Sequence, residues 1–341
     1  TINSFSNAEE FNQLSKELDV RYISQGTLWK MGNMFQLSLE LYDTKEKKVV
    51  WSDRWQEKWD NLTTIKGNLS DGLLKALDTT SKVEKKVETT NTKAYELYLK
   101  AKHTHAKRTD INDTEKARKL LRQAIDLDDT LIAAKLELGI SYNETGDNDE
   151  AMKIFTSAFE QAEKLGDKQG MGITLNSIGI MNAIRGEYDT ALEYYDRSLK
   201  IQEEIGRMHS VALTLCNIGI VHANRDEHDK VVESLEKSLA IQKEIGLKAI
   251  ELLTTTYLYL SYKHLGKDYD EQDIHCLIKD AEYYDEINFR LYQLLDDTSY
   301  LKIAYNQVQK IASEMEYETG KTFLNYPIPK AIIEEYNKIS S

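Results

Sequence analysis

The chain has 341 residues, with 44 Lys and Arg against 57 Asp and Glu, a net charge of -13. That length allows two or three domains with an ample apolar core, and the acidic balance repels a phosphate backbone, so nucleic acid is not an expected partner. No apolar run reaches the roughly 20 residues that span a bilayer, so no membrane insertion is expected here, and Cys216 and Cys276 each stand alone, which rules out a disulfide framework or thiolate zinc site read from spacing.

The chain opens at Thr1 without an initiator Met and reads as a fragment of a longer protein. Residues 1–78 read as a small α+β domain. A helix is expected over Ala8–Leu18, with Phe11, Leu14 and Leu18 on one face. Phe35, Leu37, Leu39 and Leu41 alternate with Gln36, Ser38 and Glu40, the period-2 pattern of a half-buried strand. Lys30-Met31-Gly32-Asn33 supplies a turn to a hairpin partner at Val20–Trp29, and Asp43-Thr44-Lys45-Glu46 a turn to a third strand at Val49–Trp55. A second helix is expected over Leu62–Leu77, and residues 79–92, polar and poor in apolar side chains, read as a linker.

From residue 93 onward Ala, Leu, Glu and Lys dominate, and the two prolines of the chain, Pro327 and Pro329, lie near its end, which suits long uninterrupted helices. Three columns of residues recur every 40 positions: Gly139, Gly179 and Gly219; Gly146, Gly186, Asp226 and Gly266; Gly166, Gly206 and Gly246. Each unit holds two helical segments of roughly 15 residues separated by glycine breaks, so the repeat is a helical hairpin. Gly139, Gly179 and Gly219 sit mid-helix, where glycine costs about 1 kcal/mol against alanine, and close approach of the paired helix is the expected reason. Ala151 and Ala191, with Val231, are the matching small residues on the second helix. Gly146 and Gly186 fall where the first helix must stop in a left-handed conformation.

Gly139, Tyr142, Ala151, Phe155 and Ala158 together resemble the tetratricopeptide repeat, as do Gly179, Ala191 and Tyr195, and Ala117 precedes Ala151 by that family's usual 34 residues. The resemblance implies an all-α superhelical solenoid over 93–269, about four hairpins, with 270–341 a degenerate repeat and carboxy-terminal cap. The segment from Leu18 through Gly26, Gly32-Asn33, Leu41-Tyr42-Asp43 and Trp51 to Trp55 resembles the second half of a TolB amino-terminal-like domain, lacking that family's first strand and helix. Such tandems resemble the carboxy-terminal regions of bacterial class III adenylate or guanylate cyclases and of repeat-bearing serine/threonine kinases. The implied function is a protein-interaction and regulatory region of a multidomain bacterial signalling protein, binding a peptide or partner domain. The alternatives are self-association as a homodimer through the α+β part and the solenoid, and a nucleotide-related activity supplied by an upstream domain. The implied location is cytoplasmic, or extracytoplasmic if a membrane span lies upstream.

No catalytic residue, metal site or cofactor is expected. Gly320-Lys321-Thr322 ends like a phosphate loop, but Met315 stands where its first glycine is required, and Gly170 and Gly172 lack the third glycine of a dinucleotide fingerprint, Leu175 standing there. His103 and His105, and His275 beside Cys276, lack metal-ligand spacing and read as solvated helix faces. Trp51, Trp55 and Trp59 read as one strand face buried against the helix that follows. In the resembled repeats the first helix lines the groove, so Asn176, Asn182, Asn217, His222 and Asn224 are the candidates for holding a peptide backbone, the other reading being hydrogen bonds within the stack.

Overall fold

The computed structural model describes residues 20–31, 34–58, 77, 89, 91–278 and 285–340. They divide between two compact units, Thr1–Lys100 with Gln123–Leu131, and Ala101–Arg122 with Ile132–Ser341. The helices expected over Ala8–Leu18 and Leu62–Leu77 lie outside the described residues apart from Leu77.

In the first unit, β1 (Tyr22–Met31), β2 (Met34–Asp43) and β3 (Lys48–Lys58) form an antiparallel sheet in the order β1-β2-β3. Phe35 and Leu41 are buried on β2, and the register with β3 slips between Leu41 and Tyr42. Asp43 organises the second turn: its Oδ1 accepts from the backbone N–H of Lys45 at 2.8 Å and of Glu46 at 3.0 Å, while Oδ2 pairs with Arg21 at 2.9 Å. Trp51 and Trp55 pack ring to ring with centroids 6.0 Å apart and are only half-buried, rather than sealed.

Fourteen helices follow among the described residues: α1 (Thr92–Ala106), α2 (Ile111–Leu127), α3 (Ile132–Glu144), α4 (Asn148–Lys164), α5 (Lys168–Ile184), α6 (Tyr188–Glu204), α7 (Met208–Asn224), α8 (His228–Ile245), α9 (Glu251–Leu265), α10 (Glu271–Ile278), α11 (Asp285–Leu295), α12 (Thr298–Glu314), α13 (Tyr317–Phe323) and α14 (Pro327–Ser340). No strand occurs among the described residues after β3. The fold is therefore a small antiparallel sheet followed by a helical solenoid.

Each hairpin is built around a glycine. The ring of Phe155 on α4 covers Gly139 of α3, and Leu235 on α8 covers Gly219 of α7. On α6, Tyr195 covers Gly179 of α5, where an added Cβ would meet the ring at 2.5 Å. A helix interior that gives up the alanine preference of about 1 kcal/mol gains room for a whole large side chain. Ala151, Ala191 and Val231, one helical turn earlier on each second helix, are fully buried in the same seam.

The turn inside each hairpin repeats as faithfully. Gly146 and Gly186 adopt φ of +78° and +80°, and the backbone N–H of the next residue donates to a carbonyl five positions back, Asp147 to Tyr142 at 3.0 Å and Glu187 to Asn182 at 2.9 Å. That is the left-handed helix stop for which glycine is suited. Asp226 occupies the same place with φ +57° and keeps the bond, Glu227 N–H to His222 O at 3.0 Å, short polar side chains being the tolerated exceptions there.

A buried polar ladder joins the two helices of a hairpin, reaches the next hairpin through threonine, and carries its own 40-residue signature, which the glycine columns overshadow. Ser198 Oγ donates to Gly172 O at 2.7 Å and accepts from Gln202 Nε2 at 2.7 Å; Ser238 and Gln242 repeat this with Ala212 O at 2.6 Å and a Ser–Gln bond of 2.9 Å. Thr254 accepts from Gln242 at 2.8 Å, and Thr214 sits against Gln202 Oε1 at 3.4 Å. One hairpin earlier, Ala158 and Ala162 take the places of Ser and Gln, so that level of the core is apolar.

Two tests follow from this packing. Gly179→Leu drives a side chain into the Tyr195 ring and should lower stability by about 1–3 kcal/mol in thermal unfolding; an unchanged midpoint would mean that the contact does not set the hairpin. His228 and His264 stack with centroids 4.3 Å apart, and burial first, then the neighbouring His264, lowers the His228 pKa below 6.5. The unfolded chain then binds the proton more readily, so this contribution to stability is complete above about pH 6.5 and shrinks as pH falls through that value. Chemical unfolding of wild type and His228→Gln at about pH 7.5 and about pH 5.5 should show the smaller pH dependence in the variant.

Candidate functional site

Curvature follows from which helices meet. Successive first helices approach one another, α3 with α5, α5 with α7 and α7 with α9, whereas among the described residues the second helices α4, α6 and α8 make at most marginal contact with each other. The first helices therefore take the inner side of the curve, the side a solenoid offers to an elongated ligand.

On that side Asn176 of α5 and Asn217 of α7 come together. Asn176 Oδ1 accepts from Asn217 Nδ2 and from Thr214 Oγ1, both at 3.1 Å, and both asparagines are half-buried. Among the described residues, Asn176 Nδ2 and Asn217 Oδ1 have no hydrogen-bond partner, which leaves one donor and one acceptor side by side.

The other polar positions turn inward or toward the hairpin turns. Asn182 is buried and its Nδ2 donates to Ile178 O one turn back at 2.8 Å, so it belongs to its own helix. His222, in the equivalent position of the next hairpin, is also buried, with Nδ1 2.6 Å from Glu227 Oε2 across the turn. Asn224, at the end of α7, accepts from Arg290 Nη2 of α11 at 2.5 Å. Arg290 was invisible to the repeat pattern, since it lies beyond the last regular hairpin; its guanidinium stands 5.0 Å over the Tyr257 ring and also donates to Gln293 at 2.9 Å.

His105 departs from the solvated-face reading. It is buried, with Nδ1 3.1 Å from Glu137 Oε1 and Nε2 2.9 Å from Glu144 Oε2, because α3 packs its acidic residues against the end of α1 within the second unit. His275 and Cys276 are exposed on α10. Among the described residues no group of three or more His, Cys, Asp or Glu is placed to hold a metal ion. Gly320 and Lys321 lie inside α13, with Gly320 packed on Ala312 O, and Gly172 on α5 packs on Gln202; neither glycine forms a loop that could cradle phosphate. No helix among the described residues is long and apolar enough to cross a membrane.

A family model for the tetratricopeptide repeat matches residues 129–204 and 170–244, the span of the regular hairpins. The chain carries tetratricopeptide repeats. No curated protein matches it by sequence. Among solved structures, the chain resembles the Rap conjugation gene regulator of plasmid pLS20 in complex with the Phr* peptide, at TM-score 0.52 and 13% identity over 80% of this chain and 86% of that one. A Rap protein complexed with competence and sporulation factor gives TM-score 0.50 and 12% identity over 79% of this chain and 80% of that one. The tetratricopeptide-like repeats of a putative kinesin light chain from Podosopora anserina give TM-score 0.41 and 15% identity over 60% of this chain and 96% of that one. At these identities the likeness to the two Rap structures is one of fold.

The Arg290–Asn224 bond ties α11 to the repeat array and gives a direct test. Asn224→Leu removes an acceptor from a partly buried guanidinium and should cost about 1.5–3 kcal/mol, the scale of a hydrogen bond to a charged group, measured by denaturant unfolding. A loss under about 0.5 kcal/mol would show that water replaces the acceptor freely.

Proposed function

We propose that this chain is the protein-interaction and regulatory part of a multidomain bacterial signalling protein, and that the inner face of its tetratricopeptide hairpins holds an extended peptide or a segment of a partner domain. The observation that supports this most is the Asn176–Asn217 pair, which presents a donor and an acceptor with no partner among the described residues. An extended backbone offers a carbonyl and an N–H of matching kind, and side-chain amides are suited to take both. The two Rap structures of like fold, one holding the Phr* peptide and the other competence and sporulation factor, support a solenoid of this build as a peptide binder. The resemblance of the first unit to a TolB amino-terminal-like domain supports an effector of the cyclase or kinase kind as the thing regulated.

Binding here means affinity without turnover: the amide pair contains no nucleophile and no group that titrates near neutrality. Replacing both asparagines removes both partners of their mutual bond, and the buried Thr214 hydroxyl that also donates to Asn176 keeps Gln202 Oε1 as an acceptor, so the change is close to neutral for folding, while a bound backbone loses two hydrogen bonds worth about 1–3 kcal/mol together. An array of peptides about ten residues long, probed with the wild-type chain and followed by calorimetric titration of the binders, should therefore show a several-fold weaker Kd for Asn176→Ala/Asn217→Ala at nearly the same Tm. Equal affinity in a stable double variant would place the peptide elsewhere.

A further inference from the structure

Along the inner side, the partly exposed positions of the first helices recur every 40 residues. Ala133, Ile173 and Leu213 form one column, Ile140, Ile180 and Ile220 a second, and Asn143, Ala183 and Ala223 a third. On α5 the stripe runs Ile173, Asn176, Ile180, Ala183, steps of three and four that keep to one helix face. On α7 it runs Leu213, Asn217, Ile220, Asn224. The Asn176–Asn217 pair therefore has Ile173 and Leu213 one turn before it and Ile180 and Ile220 one turn after it. At α9 the stripe ends, since Leu260, the counterpart of Ile220, is buried with Leu291 and Leu294 of α11.

This face is also free of charge. From Gln169 to Ile184 α5 holds no Asp, Glu, Lys or Arg, and α7 holds none over its whole length. The second helices α6 and α8 carry seven each, so charge in these hairpins is set by side and not by overall composition. Contact with water does not demand such a pattern, since α6 and α8 meet water with charged side chains. An ionised group laid on the inner face loses hydration and meets no counter-ion on α5 or α7. Aliphatic and aromatic side chains lose only apolar exposure there. The chain covers the continuation of this stripe in the same way. Asn143, Ala183 and Ile184 border a cavity of about 220 Å³, across which stand Ile311, Met315, Phe323 and Ile328, and no charged residue of α12–α14 lines it. Its acidic groups, Glu144, Asp285 and Glu286, stand at helix ends.

We propose that the inner face takes an extended segment whose middle side chains are uncharged and aliphatic or aromatic. One peptide group of that segment lies on the Asn176–Asn217 amides, and the side chains beside it lie on the aliphatic columns. This rests on the reading of the inner face as a peptide site and adds the class of peptide. An amide pair set among aliphatic groups gives the selectivity its direction: backbone polarity is matched at one step, while a charged side chain next to it finds no partner. The net charge of -13 draws basic partners toward the chain at long range, but it supplies no acidic group on the α5 and α7 stripes. Affinity at this face is therefore nearly independent of salt.

The probe is an array of acetylated and amidated peptides, about ten residues long, with serine and glycine at the ends. The middle positions are drawn from one class per peptide: aliphatic and aromatic, neutral polar, acidic, or basic. The array is read with the full chain and with Asn176→Ala/Asn217→Ala, and the tightest binder is titrated calorimetrically. Binding confined to the apolar class, and lost in the double variant, is expected. Because side chains alternate along an extended chain, Glu or Lys at two adjacent middle positions puts one charge on the floor, and should weaken that peptide at least about tenfold. The affinity of the apolar peptide should change little between about 0.05 M and about 0.5 M salt. Ile140, 39% exposed, is the most exposed of its column, and Ile140→Lys should weaken the apolar peptide without moving Tm. The charges placed on the peptide keep the test intact if that variant does not fold. Asparagine-dependent binding of acidic, basic or neutral polar peptides as tight as that of the apolar ones would overturn the proposal and leave the peptide site standing. The absence of any binder that requires the asparagines would overturn both.

Discussion

In every regular hairpin a large side chain of the second helix lies on a glycine of the first, Phe155 on Gly139, Tyr195 on Gly179 and Leu235 on Gly219. The missing Cβ lets the two helices close to a distance at which one ring or isobutyl group fills the seam. That distance sets the pitch of the hairpin, and the pitch sets where the next hairpin's first helix can dock. Because first helices meet first helices along the array, the inner face is a consequence of this contact repeated at equal intervals.

What lies between hairpins is not uniformly apolar. The Ser198–Gln202 and Ser238–Gln242 bonds are buried and continue to backbone carbonyls and threonines of neighbouring helices, with Gln242 Oε1 left without a partner among the described residues, while the level at Ala158 and Ala162 is filled by aliphatic groups. Such a hydrogen-bonded ladder adds little net stability, yet it penalises any register in which Gln202 or Gln242 faces an apolar wall. The stack thus has an apolar seam at each hairpin's glycine and a directional polar seam that begins inside two hairpins, at Ser198 on Gly172 and Ser238 on Ala212, and reaches the next hairpin at Thr214 and Thr254.

The turn edge is governed by backbone rather than by side chains. Left-handed residues Gly146, Gly186 and Asp226 turn each first helix abruptly, and the small size of the two glycines leaves room for Met315 and Pro327 to approach. Polar contacts hold α11 to the array: Arg290 to Asn224 spans 66 residues of sequence, Tyr257 donates to Glu286, and Lys263 donates to the Gln293 and Leu294 carbonyls and to Asp296. The same return of the chain encloses the cavity lined by Asn148 and Asp285.

The 40-residue columns make the helical hairpins legible in the sequence alone, because glycine in a helix interior and glycine at a helix stop each answer a local steric demand that repeats with the unit. Alternation at Phe35–Leu41 makes the strands legible for the same reason: both periodicities belong to the backbone. The Ser, Gln and Thr columns are equally periodic but indistinguishable from surface polar residues until burial is known. His105 reads as solvated because its partners Glu137 and Glu144 are 32 and 39 residues away, a separation that no helical period reports. The pairing of Asn176 with Asn217 and of Asn224 with Arg290, and the cavity between the hairpin turns and α11–α14, were decided only by tertiary structure. Sequence determined the repeating unit because its constraints are local and recur; the chain's return onto its own turns involves contacts that occur once, between side chains far apart in sequence, and so leaves no period to read.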